Sequence, residues 1–359
     1  MEKSNAILIG LLPPPYGGIA SWSKKTLEIA PNYGINYVFV NESNQTSRKH
    51  FGDNTKRNIF SDIKRAFRIR KDLKKALKST DESYVVHCNI PSLKYSMIRE
   101  LSNLKLIKKY NRKYIIHFRS TVANNVQTKK QKKLVEKLLK RADKILLLNK
   151  QSYDFCYDIF PNNKMEILPN YVDATETDPN HLINDSIKKI LYVGMATLEK
   201  GVDDIIDVST RFPSITFEII GRVSEEIKQY CENKCLPNVS FLGQMDKKDI
   251  MSYYKKADMF LFLSRFKSEG FSNALCEAMG MGLPCIVTDW AANRDMVFSD
   301  YEEVIVKPHD IDSLEKSIKF FENKEIRTKI SQSNYKKVID EYSDRVVLKR
   351  IKSIYDSIR

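Results

Sequence analysis

The sequence predicts an α/β protein built as two doubly wound parallel-sheet domains in tandem. Three observations carry this: a length of 359 residues, short apolar runs alternating with longer amphipathic stretches throughout, and one polar, breaker-rich seam near the middle. A chain this long divides more readily into two ordinary domains than it fills one core. Apolar residues at 42% and charged residues at 29% are the composition of a chain that folds throughout.

Taken in order, the expected strands of the first series are AILIGLL (6–12), YVFV (37–40), YVVHC (84–88), KYIIHF (113–118) and KILLLN (144–149). The second series comprises KILYVG (189–194), TFEIIG (216–221), VSFLG (239–243), MFLFLS (259–264), PCIVTD (284–289) and EVIVK (303–307). Runs of this length, rich in Val, Ile, Leu and Phe, suit strands buried on both faces of a parallel sheet. AILIGLL is too short to span a bilayer and has no small-residue cleavage site after it, so it reads as a first strand. No other apolar run reaches spanning length, and any membrane contact is expected to be peripheral. The seam is MEILPNYVDATETDPNHLINDS (165–186). It places the domains at 1–170 and 171–340, with the tail 341–359 as a C-terminal helix packing back on the first domain. In that tail Tyr342, Val346, Val347, Ile351, Ile354 and Ile358 recur near helical spacing.

The formal charge is +15, and its distribution is uneven. Residues 1–180 hold 33 Lys and Arg against 17 Asp and Glu, a balance of +16; the remainder holds 27 against 28, or −1. The excess concentrates in Lys56 to Lys78, in Lys105 to Lys113 and in KKQKKLVEKLLKRADK (129–144). The last run also carries Leu134, Val135, Leu138, Leu139 and Ala142, an apolar stripe that faces a core, so its lysines read first as a solvated helix face. The alternative is a half that rests on an anionic surface, a membrane leaflet or a nucleic acid. Cys88, Cys156, Cys231, Cys235, Cys276 and Cys285 show no paired metal spacing, and reduced thiols in a cytoplasm account for them.

The stretch SEGFSNALCEAMGMGLPC (268–285) carries the chemistry. In open α/β sheets ligands bind at the carboxyl ends of strands, where helix N-termini present backbone amides to anions. MFLFLS is such a strand, and a helix is expected over 274–281. Gly270 allows a tight turn, Ser272 or Asn273 can cap the helix, and the amides of 271 to 275 face the strand end. A phosphate fits there. Glu277, one turn into the helix, can accept hydrogen bonds from two sugar hydroxyls, and Glu269 lies in the loop before it.

The frame EGFSNALCEAMGMGLP closely resembles the E-x7-E region of the retaining family 4 glycosyltransferases, whose GT-B fold has two Rossmann-like domains facing a central cleft. Similar segments follow in the right order along nearly the whole chain. PPPYGGIASW (13–22) is similar to the family's N-terminal glycine loop, ILPNYVD (167–173) to its interdomain Pro-Asn segment, and YVGMATLEKGVD (192–203) to its strand-loop-helix with a phosphate-binding Lys-Gly. The resemblance implies that Glu277 binds nucleotide ribose hydroxyls and that Glu269 contacts donor-sugar hydroxyls. It implies that the segment Gly270, Phe271, Ser272, Asn273 and Ala274, with Lys200, holds the diphosphate as the leaving group gains charge. Gly17 and Gly18 would let the first domain's backbone approach the same phosphates. His117 resembles the family's strand-end histidine near the transferred sugar, and Arg119 is a phosphate or acceptor candidate.

Two positions depart from the family pattern. Met195 stands where the family usually has an arginine, a cation that Arg222 or Arg265 is expected to replace. Tyr171 stands where the family prefers glycine. The resemblance implies transfer of a hexosyl or N-acetylhexosaminyl group with retention, from a UDP- or GDP-sugar to a saccharide or polyprenyl-linked acceptor, with no metal and no other cofactor. It implies a bacterial enzyme of cell-surface polysaccharide (capsule) synthesis, cytoplasmic and peripheral at the inner face of the cell membrane. A nucleotide-sugar 2-epimerase on the same fold would need further acids and histidines around the sugar, and the chain has 5 histidines. A nucleic-acid-binding protein would need basic strands interleaved with aromatics, which the sequence lacks.

Overall fold

A computed structural model describes residues 3–14, 17–43, 59–232, 234–297 and 300–359. Pro15 and Tyr16 of the glycine loop, and Lys56 and Arg57 of the first basic run, lie outside the described residues. The chain divides into two compact units, Met1–Asn170 with Val347–Arg359, and Tyr171–Val346. Each contains one parallel sheet of six strands.

In the first unit the strands are β1 (Ser4–Gly10), β2 (Ile35–Asn41), β3 (Val85–Ile90), β4 (Tyr114–Phe118), β5 (Lys144–Leu147) and β6 (Met165–Ile167), in the order β2-β1-β3-β4-β5-β6. Every residue of β3 and β4 is buried, which is why both read as continuous rather than alternating runs, apolar but for His87, Asn89 and His117. Helices cover the sheet. The helix Lys129–Arg141 is fixed at its start by a capping box between Thr128 and Gln131 and buries Val135, Leu138 and Leu139, so its lysines form the solvated face of a core helix.

The second unit repeats the plan with β7 (Lys189–Val193), β8 (Thr216–Ile220), β9 (Val239–Gly243), β10 (Met259–Phe262), β11 (Cys285–Thr288) and β12 (Ile305–Val306), ordered β12-β11-β10-β7-β8-β9. In both sheets the chain lays strands on one side of the first strand and then crosses back. The reversal falls between β1 and β3 in one and between β7 and β10 in the other. Those two points are where the loops leaving neighbouring strands diverge and open a crevice.

Three expectations need correction. The start of the seam forms a three-residue edge strand, β6, paired in parallel with β5; its charged Glu166, ion-paired to Lys144 (2.8 Å) and Arg350 (2.9 Å), interrupts the apolar run that would have marked it. EVIVK contributes only Ile305 and Val306 to a strand, because Glu302–Val304 coil into a 3-10 turn. The helix expected over 274–281 runs over Asn273–Gly280 with Ser272 as its cap. The final helix, Asp344–Ile358, buries Val347, Leu348, Ile351, Ile354 and Tyr355. Leu348 and Tyr355 join the expected stripe, while Val346 and Ile358 are only half-buried.

Candidate active site

In the second unit two loops from the strands flanking the reversal are locked together. After β7 the chain passes Gly194 and reaches a 3-10 turn, Leu198–Lys200, whose cap is the Thr197 side chain accepting from the Lys200 amide. Gly201 closes the turn at φ 73°, and a Cβ there would lie 2.1 Å from the Leu263 carbonyl oxygen at the end of β10. Only glycine tolerates both the left-handed backbone and that approach. The Arg265 amide then donates to the Glu199 carbonyl at 2.9 Å, tying the β10 loop to the β7 loop. From β11 the Thr288 hydroxyl donates to the Ser264 carbonyl at 2.6 Å and the Trp290 indole to the Phe266 carbonyl at 2.9 Å. The loop that carries Glu269 is thus held from both sides.

The consequence is an ion pair between two residues 69 apart in sequence: Lys200 Nζ lies 2.5 Å from Glu269 Oε2. The Ser264 hydroxyl donates to the same carboxylate oxygen at 2.8 Å, and the lysine ammonium sits 4.8 Å from the centre of the Phe266 ring. Lys200 is 20% and Glu269 11% exposed, so the pair is sheltered yet reachable. Beyond it the Ser272 hydroxyl accepts from the Leu275 amide at 3.2 Å and starts the helix that carries Glu277. Glu277 is 22% exposed, its carboxylate 3.9 Å from Lys247 Nζ. Gly270, Phe271, Asn273 and Ala274 lie in this same turn and helix start.

Arg265 does not serve as a mobile cation. Its guanidinium pairs with Asp203 (2.6 Å) and Asp204 (3.0 Å), where it pins the helix Val202–Ser209 to the β10 loop. Asp203, Asp204 and His309 form the acid-histidine cluster among the described residues; with Arg265 bound to both acids, the cluster is a structural ion-pair network. Burial, then the neighbouring Asp203, pushes the Asp204 carboxyl above the usual carboxylate range. Arg222 keeps the other possibility. The loops after β7 and β8 run on in parallel beyond the sheet, with the Ala196 amide donating to the Arg222 carbonyl at 2.9 Å. That sets the exposed Arg222 beside the segment holding Met195. Gly221 permits the approach: a Cβ there would meet the Gly194 carbonyl oxygen at 1.9 Å.

In the first unit, Gly17 and Gly18 open the helix Gly18–Ile29. Gly17 is extended, with a φ of 173° that any residue adopts, and a Cβ on Gly18 would meet nothing within 4 Å, so neither the Gly17 backbone nor the packing at Gly18 demands glycine. His117, on β4, is fully buried. Its Nδ1 is 3.2 Å from His87 Nε2 on β3, and His87 Nδ1 is 2.6 Å from the Tyr355 hydroxyl of the last helix, which in turn is 3.0 Å from the Tyr37 hydroxyl of β2. In either direction this chain is satisfied with both imidazoles neutral. Burial and the Arg119 charge lower the His87 pKa to about 3 and hold His117 well below the ordinary histidine range. Arg119 NH1 lies 3.1 Å from His117 Nε2, its guanidinium covers the Trp22 ring at 4.2 Å, and NH2 donates to the Asn170 side-chain oxygen.

Sequence reasoning missed His87, Tyr355 and Asn89. Asn89, beside His117 in register, is 1% exposed, and its amide nitrogen and oxygen have no hydrogen-bond partner among the described residues. An unsatisfied buried amide costs about 1–3 kcal/mol. The legible signal was a polar pair, His and Asn, inside an otherwise apolar strand, VVHCNI.

The fold is that of the GT-B glycosyltransferases: sucrose-phosphate synthase from Thermosynechococcus elongatus matches it with a TM-score of 0.80 over 99% of both chains at 14% identity. Within it, residues 173–337, all in the second unit, match the family model of the Glycosyl transferases group 1. The chain is also similar to the capsular polysaccharide biosynthesis glycosyltransferase CapM of Staphylococcus aureus, 25% identical over 49% of this chain and 47% of that one. It is 22% identical to the UDP-Gal:alpha-D-GlcNAc-diphosphoundecaprenol alpha-1,3-galactosyltransferase of Escherichia coli over 67% of this chain and 68% of that protein.

Proposed function

We propose that this protein is a retaining glycosyltransferase of family 4 type, carrying the E-x7-E pair Glu269 and Glu277. It would move a hexosyl or N-acetylhexosaminyl group from a UDP- or GDP-sugar to a saccharide on a lipid carrier, in cell-surface polysaccharide synthesis. One observation carries the reading: Lys200 and Glu269 meet at the carboxyl ends of β7 and β10, directly before a Ser272-capped helix that bears Glu277. Chemistry follows from the positions. The donor's diphosphate takes the Lys200 ammonium and the amides of the Gly270–Ala274 turn, whose fixed positive ends stabilise the leaving group as its charge grows. The Glu269 carboxylate, released from part of its pairing with Lys200, accepts from sugar hydroxyls, and Glu277 accepts from the ribose.

Arg222 is assigned the part of the arginine absent at Met195. With cationic side chains and a helix end neutralising the diphosphate, the reaction is proposed to need no metal and no cofactor beyond the donor. Retention is proposed to occur by front-face attack: the acceptor oxygen bonds to the anomeric carbon as the bond to the phosphate oxygen breaks, and that oxygen takes the acceptor proton. From the first unit, neutral His117 is proposed to serve the transferred sugar, Arg119 a phosphate or the acceptor, and Asn89 a hydroxyl. Gly17 and Gly18 would admit a phosphate close to the backbone. Working at the cytoplasmic face of the membrane, the enzyme would meet its lipid-linked acceptor through its basic first half. The similarity to the capsule and diphosphoundecaprenol enzymes supports this assignment.

The test is product analysis with a panel of UDP- and GDP-sugars and lipid-linked saccharide acceptors. Nucleotide release that requires acceptor, with the α-linkage preserved in the product, is the expected result. Interconversion of the nucleotide sugar without acceptor would refute transfer, and an inverted linkage would refute the mechanism.

A further inference from the structure

The helix Ile59–Ser79 is 21 residues long, about 31 Å, and carries eight Lys and Arg against two Asp. Its buried face is ordinary: Ile69, Leu73, Ala76 and Leu77 are all under 7% exposed. Its outer face is not. Phe60 is 85%, Ile63 50% and Phe67 71% exposed, and at 100° per residue these three share an arc of about 120° with Lys64, Lys71, Lys74, Lys75 and Lys78. All five lysines are exposed. The outer face therefore grades from apolar in its first half to cationic in its second.

The helix is rigidly set in this orientation. Arg65 donates to the Glu42 carbonyl at 2.7 Å, Arg68 to the Asn41 and Ser43 carbonyls at 2.9 and 2.7 Å, and Arg70 to the Ser102 carbonyl at 2.7 Å. The arginines thus fasten the flanks, and the lysines are left facing out. The neighbouring helix, Lys94–Lys109, which Arg70 reaches at Ser102, also exposes Leu93 and Ile98 at its start, each 45%. Both helices begin where β2 and β3 end, on the edge of the sheet where ligands of α/β folds bind.

We propose that this face docks the protein on the anionic leaflet of a phospholipid bilayer, with Ile63, Phe67 and their neighbours entering the acyl boundary and the lysines lying on the headgroup phosphates. The proposal deepens the membrane partner of the function proposed above and rests on that reading. Aromatic and aliphatic side chains along one edge of a lysine-rich face match the layered chemistry of a headgroup interface. A second copy of the chain fits poorly: a parallel pair sets five lysines against five, and an antiparallel pair sets each apolar half on the other's lysines. A nucleic acid has no use for Ile63, Leu93 and Ile98.

The experiment is co-sedimentation of the full chain with vesicles of phosphatidylcholine alone and of phosphatidylcholine mixed with phosphatidylglycerol. The variants are the double Ile63→Ser with Phe67→Ser and the triple Lys71→Glu, Lys74→Glu and Lys75→Glu. Wild type is expected on the mixed vesicles only, less so at high salt. The double variant should lose at least about tenfold in partitioning and the triple variant about a hundredfold or more. All these side chains are exposed, so melting curves should match wild type. No binding of wild type to the mixed vesicles, or binding unchanged in both variants, overturns the proposal. So does a dimer in solution that the double variant breaks, or an RNA complex that the triple variant breaks, in a protein that ignores vesicles. UDP and GDP titrations by calorimetry on the same preparations separate the two readings: vesicle binding with neither nucleotide bound sinks the proposed function and leaves this surface standing.

Discussion

Acidification should weaken the first unit through His87, and the size can be worked out. In the folded protein burial and the Arg119 charge hold its pKa at about 3, against 6.5 for an ordinary histidine. Below about pH 6.5 the unfolded chain therefore takes up a proton that the folded chain refuses until the pH nears 3, so stability falls as pH falls across that window. At about pH 5 the difference for this one group is about 2 kcal/mol relative to about pH 7.5. Carboxylates titrate too, which makes a comparison between proteins the clean measurement. Opening free energies of β3 and β4 amides, from native-state hydrogen exchange near pH 5 and near pH 7.5, should fall more in wild type than in His87→Gln, by about 2 kcal/mol. Equal pH dependence in the two proteins would refute the neutral, buried imidazole.

Lys200→Ala should cut turnover by orders of magnitude while the melting temperature holds, since the lysine's partner Glu269 keeps the Ser264 hydroxyl; steady-state kinetics with any accepted donor would read this. Gly201→Ala should destabilise the second unit by about 2 kcal/mol or more in denaturant melts, from the left-handed backbone and the Leu263 contact together. Arg265→Ala should cost about 3–5 kcal/mol because it strands Asp203 and Asp204, with lysine a poor substitute for a guanidinium that bridges both acids. Asn89→Leu should leave stability equal or raised, as an unsatisfied amide is removed, and yet lower turnover; stability lost with turnover intact would make Asn89 a packing residue.

The sequence made the sheets legible because strands of a parallel sheet are short, mostly apolar runs between amphipathic stretches, and eleven such runs are recognisable without coordinates. It could not show β6, since three residues with a glutamate at their centre carry no apolar run and become a strand by pairing with the edge of β5. The Glu269 to Glu277 frame, the Lys-Gly turn and the cap at Ser272 are local patterns and were readable as such. That Lys200 touches Glu269, that Arg265 is held by Asp203 and Asp204 while Arg222 lies along the Met195 loop, and that Tyr355 reaches His87, and through it His117, from the far end of the chain are long-range facts. Periodicity fixes which face of each element turns inward, but which partners meet there depends on strand order and on where each loop leaves its sheet, and only the assembled fold sets those.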